Sequence, residues 1–198
     1  MTLEEFLALS EIDEKPYLEF IDGKVEAKVS PQTKHSRIQS QLLRCLEDAA
    51  ENGLVGLPLP ELRCTFAGRS LVPDIAFLLH EHIELDPDGE YRDETLRPPD
   101  IHIEIVSPDQ AVRKNRDRIL FSIAHGCPLG WLIDPERKKV EVHRPGQPIQ
   151  TLIGGGYIDG SPVLPGFRLA ASELFGWLRP PGQRPPGQGT PGSGASGS

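Results

Sequence analysis

The stretch 99-PDIHIEIVSPDQ-110 decides the fold. Ile101, Ile103, Ile105 and Val106 carry the apolar weight of a buried strand, yet Glu104 stands among them. A carboxylate there is costly unless it is paired, protonated or coordinated, so Glu104 demands a partner. Directly after it, Ser107 as N-cap, Pro108 at the first helical position, an acid in the first turn and Gln110 closing a capping box predict a helix start. Gly126 and Pro128 predict its stop. Within this helix Val112, Ile119, Leu120 and Ile123 form one apolar arc and Arg118 falls outside it. Arg118 lies about 15 Å of helix from Pro108, and Glu104 about 10 Å of strand from Ser107. A helix folded back over its own strand, across a gap on the order of 10 Å, therefore brings Arg118 level with Glu104.

Working outward, 71-LVPDIAFLL-79 repeats the oddity by placing Asp74 ahead of an apolar run. Its proline suits a strand entrance or edge. Upstream, Thr2 and Glu5 have capping-box spacing at the start of a short helix. The segments 17-YLEFI-21 and 24-KVEAKV-29 flank Asp22-Gly23 as a hairpin. A helix runs from about Thr33 to Glu51 on Ile38, Leu42, Cys45, Leu46 and Ala49, with Gly53 to end it. Strand 61-ELRCTF-66 alternates, with a turn at Gly68-Arg69, and 80-HEHIELDPDGEYRDETLRPP-99 reads as a long loop. Downstream come strands at 130–134 and 139–144, short strands near Gln150–Ile153 and Pro162–Leu169, and a helical turn at 171–178. From Arg179 the repeat RPPGQ and a Gly/Ser run predict a disordered tail. One domain over 1–178 and a tail over 179–198 is the expectation.

The chain has 198 residues, 37% hydrophobic and 25% charged, enough to bury a sizeable core as one α/β or α+β domain. Its net charge of −8 requires any nucleic-acid partner to meet a locally basic surface or metal ions that offset the carboxylates. Cys45, Cys64 and Cys127 have no metal or disulfide spacing. No run is long enough for a membrane span and TLEEFLAL lacks a signal peptide's basic start, so a cytoplasmic setting is expected.

The pieces 17-YLEFIDGKV-25, His35 opening the next helix, 72-VPDIAF-77, 103-IEIVSPDQ-110 and 126-GCPLGWLIDPERKKVEVHRPG-146 resemble the Uma2 family, a branch of the PD-(D/E)XK nuclease superfamily. The resemblance covers most of the domain, and EIVSPDQ to GWLIDP is its most specific part. It implies a restriction-endonuclease-like mixed central sheet flanked by helices. It also implies a DNA endonuclease with Asp74 and Glu104 holding Mg²⁺ or Mn²⁺ and the Ile105 carbonyl as a further metal ligand. The superfamily often places a lysine two residues after the glutamate, where this chain has Val106. Uma2-like sequences instead supply a lysine from the next helix, at a position that is Arg118 here. Arginine stays charged, so it can clamp phosphate or orient water but is a poor base. Glu19 is a candidate third acid and His35 a candidate substrate contact.

Read from the residues alone, each of these has a plainer alternative. Asp74 serves equally as a strand-edge cap, and Glu104 as the buried ion-pair partner of Arg118. His35 packs on the hairpin, His102 shares Glu104's strand face as a satisfied histidine, 80-HEH-82 invites a zinc reading but has no second ligand pair of zinc spacing near it and reads as a solvated loop, and Arg113, Lys114, Arg116 and Arg118, which offer a phosphate-facing patch, read equally as a solvated helix face. The leading expectation is a metal-dependent DNA endonuclease, with a homodimer supplying two sites for a duplex. Its rival is a nuclease-fold module that binds nucleic acid or protein without cutting, because Arg118 replaces lysine. A small phosphate-ester hydrolase ranks third, since no phosphate-cradling glycine loop precedes a helix.

Overall fold

The computed structural model describes residues 1–28, 30–50, 54–108 and 111–180. Two sheets meet at a shared corner. The larger is six-stranded and mixed, in the order β11-β10-β9-β8-β6-β3. It comprises β3 (Gly56–Pro60), β6 (Ile75–Leu79), β8 (Ile101–Ile105), β9 (Leu129–Asp134), β10 (Lys139–His143) and β11 (Gln150–Ile153). Only the central β8–β9 pair is parallel, with Glu104 opposite Leu132. The second sheet runs β2-β1-β5-β4-β7: β1 (Leu18–Ile21), β2 (Lys24–Ala27), β4 (Arg63–Phe66), β5 (Arg69–Leu71) and the short β7 (Glu94–Thr95). Strands β12 (Tyr157–Asp159) and β13 (Arg168–Ala170) form a separate pair.

Period-two alternation gives β8 two different faces. Ile101, Ile103 and Ile105 pack into the main core with Ile38, Leu42 and Leu46 of α2 (Thr33–Ala49), Trp131 of β9, and Leu174 and Phe175 of α4 (Ala171–Gly176). Val106, just past the strand, packs on the opposite side with Ile119 of α3 (Val112–Ala124) and Leu132. The sheet is thus the middle layer between α2 and α3. The capping box of Thr2 and Glu5 forms at α1 (Leu3–Leu7), which buries Phe6 against Phe20. Asp22 and Gly23 take φ of 50° and 78° at the β1–β2 hairpin, the pair of positive values that a two-residue turn of right-handed twist requires.

Several expectations need correction. The apolar run 71–79 is two strands in two different sheets, β5 ending at Leu71 and β6 beginning at Ile75. The chain crosses between sheets at Val72-Pro73-Asp74, where Pro73 has no N–H to give a ladder. The helix expected from Ser107 begins at Val112, with Ala111 still extended as its N-cap. Pro108 disfavours helical dihedrals at Ser107, and Val106 prolongs the strand by donating to the Ile133 carbonyl. Asp109 and Gln110, parts of the expected start, lie outside the described residues, as does Gly53. The buried side of α3 is Asn115, Arg118, Ile119 and Ser122, while Leu120 is exposed. Polar residues face inward because buried polar partners await them. The strand expected over Pro162–Leu169 is instead β13, paired with β12. The segment Gly56–Pro60 forms an edge strand, where its two prolines are tolerated. The 80–99 segment contains a 3₁₀ turn at His80–His82 as well as β7. Among the described residues no helix is long and apolar enough to cross a membrane.

Candidate active site

The corner between the sheets gathers the charges that the apolar strands could not satisfy alone. Asp74 sits at the crossover, one residue before the Ile75–Ile103 pair, and is therefore beside Glu104. Its Oδ2 accepts from the backbone N–H of Ile105 at 2.6 Å and faces Nε2 of His35, in the first turn of α2, at 3.0 Å. Its carbonyl accepts from Gln39 at 2.8 Å. Its Oδ1 is 2.7 Å from the ammonium of Lys28, and Glu104 Oε2 lies 4.0 Å from the same nitrogen. The two acids thus converge on one cation. All three side chains are nearly sequestered, with Lys28 8% and Glu104 1% exposed.

Lys28 was missed by the sequence reading, because 24-KVEAKV-29 alternates like an edge strand with its lysines in solvent. Its backbone N–H pairs with the Tyr17 carbonyl, one step beyond the register of β1 and β2, so the hairpin itself delivers the side chain inward. The ammonium also donates to the Val72 carbonyl. Burial pushes Lys28 down, but the carboxylates of Asp74, Glu104 and Glu19 outweigh it and hold the ammonium above the ordinary lysine value. Burial likewise pushes Asp74 up, and Lys28 and His35 together hold it well below the usual carboxylate range.

Glu104 is oriented from the α3 side. Its Oε1 is 3.0 Å from His102 Nε2, and His102 Nδ1 is 2.6 Å from the Ser122 hydroxyl. A carboxylate at Glu104 fixes the proton on Nε2, which makes Nδ1 the acceptor for Ser122. This leaves Glu104 Oε2 buried without a hydrogen-bond partner.

Arg118 points to the same corner but to a different acid. Its guanidinium donates to Glu19 Oε2 and, at 3.1 Å, to Asn115. Glu19 Oε1 in turn accepts from the Val72 N–H at 2.9 Å. The pair Glu104–Arg118, expected as the plainer alternative, does not form as a contact. Burial lowers Arg118, and the charges of Glu19 and then Glu104 raise it above its ordinary value. The other cations of α3 have acidic partners: Arg116 binds Glu141 twice at 2.8 Å, and Lys114 meets Glu26 at 3.1 Å. His82 of the HEH triplet bonds Asp100 at 2.8 Å, and among the described residues the triplet joins no group of three or more His, Cys, Asp or Glu side chains that could hold a metal.

Two sides of the cluster face solvent. Lys28, Asp74 and His35 line a narrow crevice with Tyr17, Ser30 and Glu61, and His35 also borders an adjoining cleft of about 520 Å³ with Lys34, Val106 and Glu136. Arg118 lines a separate cleft of about 490 Å³ with Arg69, Lys114 and Phe121.

The family model described as "Putative restriction endonuclease", Uma2, matches residues 3–172. The chain belongs to the Uma2 family. The match lies inside the domain expected over 1–178. Among solved structures, that of "a putative nuclease belonging to DUF820" from Anabaena variabilis ATCC 29413 is similar to this Uma2 protein with a TM-score of 0.86 and 36% identity, covering 90% of this chain and 99% of that chain. No curated protein matches.

Proposed function

We propose that this Uma2 protein is a divalent-metal-dependent endonuclease that hydrolyses DNA phosphodiester bonds. The observation that carries the reading is the convergence of Asp74 and Glu104, from two sheet strands' ends, on a single ammonium. Two acids that face one cation offer the carboxylate oxygens that a hard divalent ion takes. Asp74, Glu104 and the Ile105 carbonyl would hold Mg²⁺ or Mn²⁺, which when bound lowers the pKa of a water and acts as a Lewis acid toward a phosphoryl oxygen.

The donor set fits such an ion. Carboxylate and carbonyl oxygens suit hard cations, and Mg²⁺ is commonly held by one or two carboxylates with waters and substrate oxygens completing its shell. Among the described residues no group of three or more His, Cys, Asp or Glu side chains forms a ready cage, which is compatible with that open arrangement. Glu104 Oε2 is the orphaned buried atom that a cation would satisfy. The chain's own residues do the rest: His102 and Ser122 hold the Glu104 carboxylate, and the Ile105 N–H and His35 hold that of Asp74. The Glu19–Arg118 pair fixes the hairpin against α3.

Supercoiled plasmid incubated with metal-free protein, then with Mg²⁺ or Mn²⁺, tests the reading. Nicking that requires the metal and disappears in Asp74→Ala and Glu104→Ala is the expected result. Binding of DNA without cleavage under any metal is the outcome that favours a non-cutting module instead.

A further inference from the structure

We propose that Lys28, carried in by the hairpin, is the catalytic ammonium of this site, and that Arg118 is a positioning residue for Glu19; the assignment rests on the nuclease reading above. Three observations separate the two cations. Lys28 contacts Asp74 at 2.7 Å and approaches Glu104 at 4.0 Å, whereas Arg118 spends its guanidinium on Glu19 and Asn115. Lys28 and Asp74 line one crevice, together with His35, whereas Arg118 opens into another cleft. A phosphoryl oxygen that reaches Asp74 through this crevice meets the Lys28 ammonium, whereas Arg118 lines the other cleft.

The third observation is charge. The buried acids Glu19, Asp74 and Glu104 face two fixed cations, Lys28 and Arg118. Arg118 neutralises Glu19 within a hydrogen-bonded pair, so Lys28 is the ammonium between the two acids assigned to the metal, beside the imidazoles of His35 on Asp74 and His102 on Glu104. An ammonium has three donors on a flexible stem, and can swing from a carboxylate to a phosphoryl oxygen or to the attacking water; the guanidinium held at both ends cannot. The Lys28 ammonium is placed to stabilise the charge growing on the phosphoryl oxygens. In the sequence the lysine expected from α3 is replaced by Arg118, and in space the vacated role falls to a residue 90 positions earlier in the chain.

The test compares Lys28→Met, Lys28→Ala and Arg118→Gln by thermal melting, by Mn²⁺ binding in calorimetry and by plasmid nicking. Lys28→Met is expected to melt cooperatively and to bind Mn²⁺ at least as tightly as wild type, since the ammonium no longer competes for Asp74 and Glu104. Its nicking should fall on the order of 10²-fold. Propylammonium should restore part of the nicking to Lys28→Ala and none to Asp74→Ala. Arg118→Gln should melt lower yet lose less nicking than Lys28→Met. If methionine prevents folding, Lys28→Gln, which still offers a donor to the Val72 carbonyl, gives the same comparison. Undiminished nicking by Lys28→Met, loss of Mn²⁺ binding in it, or a larger loss of nicking in folded Arg118→Gln overturns the assignment. Absence of nicking by Mn²⁺-loaded wild type sinks the nuclease reading and this assignment with it, whereas wild-type nicking that Lys28→Met retains sinks the assignment only.

Discussion

Glu19 shows what a single buried carboxylate does here. It is fully buried, accepts from the Val72 N–H and pairs with Arg118, so one side chain ties β1 to the crossover and to α3. Glu19→Gln leaves the guanidinium, 7% exposed, without its contacting carboxylate; removing one partner of a buried pair costs about 3–5 kcal/mol. Urea unfolding measures this, and a loss below about 1 kcal/mol would mean that water replaces the carboxylate. His102 acts more locally. His102→Leu removes the donor to Glu104 Oε1 and the acceptor for Ser122, and is expected to weaken Mn²⁺ binding roughly 10- to 100-fold, read by calorimetry. The sequence made Asp74 and Glu104 legible because acids in apolar strands need an explanation. Lys28 stayed hidden for the converse reason: a lysine in a strand of alternating charge looks solvated, and only the register of the hairpin against β5 and the crossover turns it inward.

At the scale of elements, β8 and α3 form the unit that aims the site, and their packing sets its tolerance. A Cβ placed on Gly130 of β9 would stand 2.3 Å from Ile119 Cγ2 of α3, so the glycine is what lets the helix lie close enough for Ser122 to reach His102. Gly130→Ala forces the helix outward at a cost of about 1–3 kcal/mol. It should also lower nicking in protein that is still folded, because Ser122 and Arg118 move with α3. Thermal melting together with nicking below the melting range checks both halves; unchanged nicking would detach the helix position from the site. The strand–helix–strand order around 101–134 was readable from periodicity and from Gly126. The true start of α3 was not, since capping signals at Ser107 and Pro108 compete with a strand that continues through Val106. The division of 71–79 between two sheets was equally hidden, because one apolar run serves two cores.

Over the whole molecule, charge joins the two sheets at the site beside the apolar cluster of Cys64, Phe66, Leu71 and Ala76, and charge also ties α3 to β10 of the larger sheet through Glu141. That carboxylate is held down to about 2 by its hydrogen bonds from Arg116, against a burial that raises it, with Lys139 adding to the depression. A folded-state value below the ordinary 4.5 means that its contribution is fully present above the ordinary value and is lost as pH falls toward about 2. Asp74, also held low, acts in the same direction. Stability should therefore decline on acidification through that window. Because Arg116 and Lys139 are partly solvated, the Glu141 share is on the order of 1 kcal/mol at neutral pH. Unfolding free energies of wild type and Glu141→Gln from urea titrations, measured from pH 7 down to pH about 2, should differ by that amount at the upper end and converge at the lower. A gap that stays constant with pH would assign the loss to packing of the side chain, and the electrostatic link between α3 and β10 would have to be abandoned.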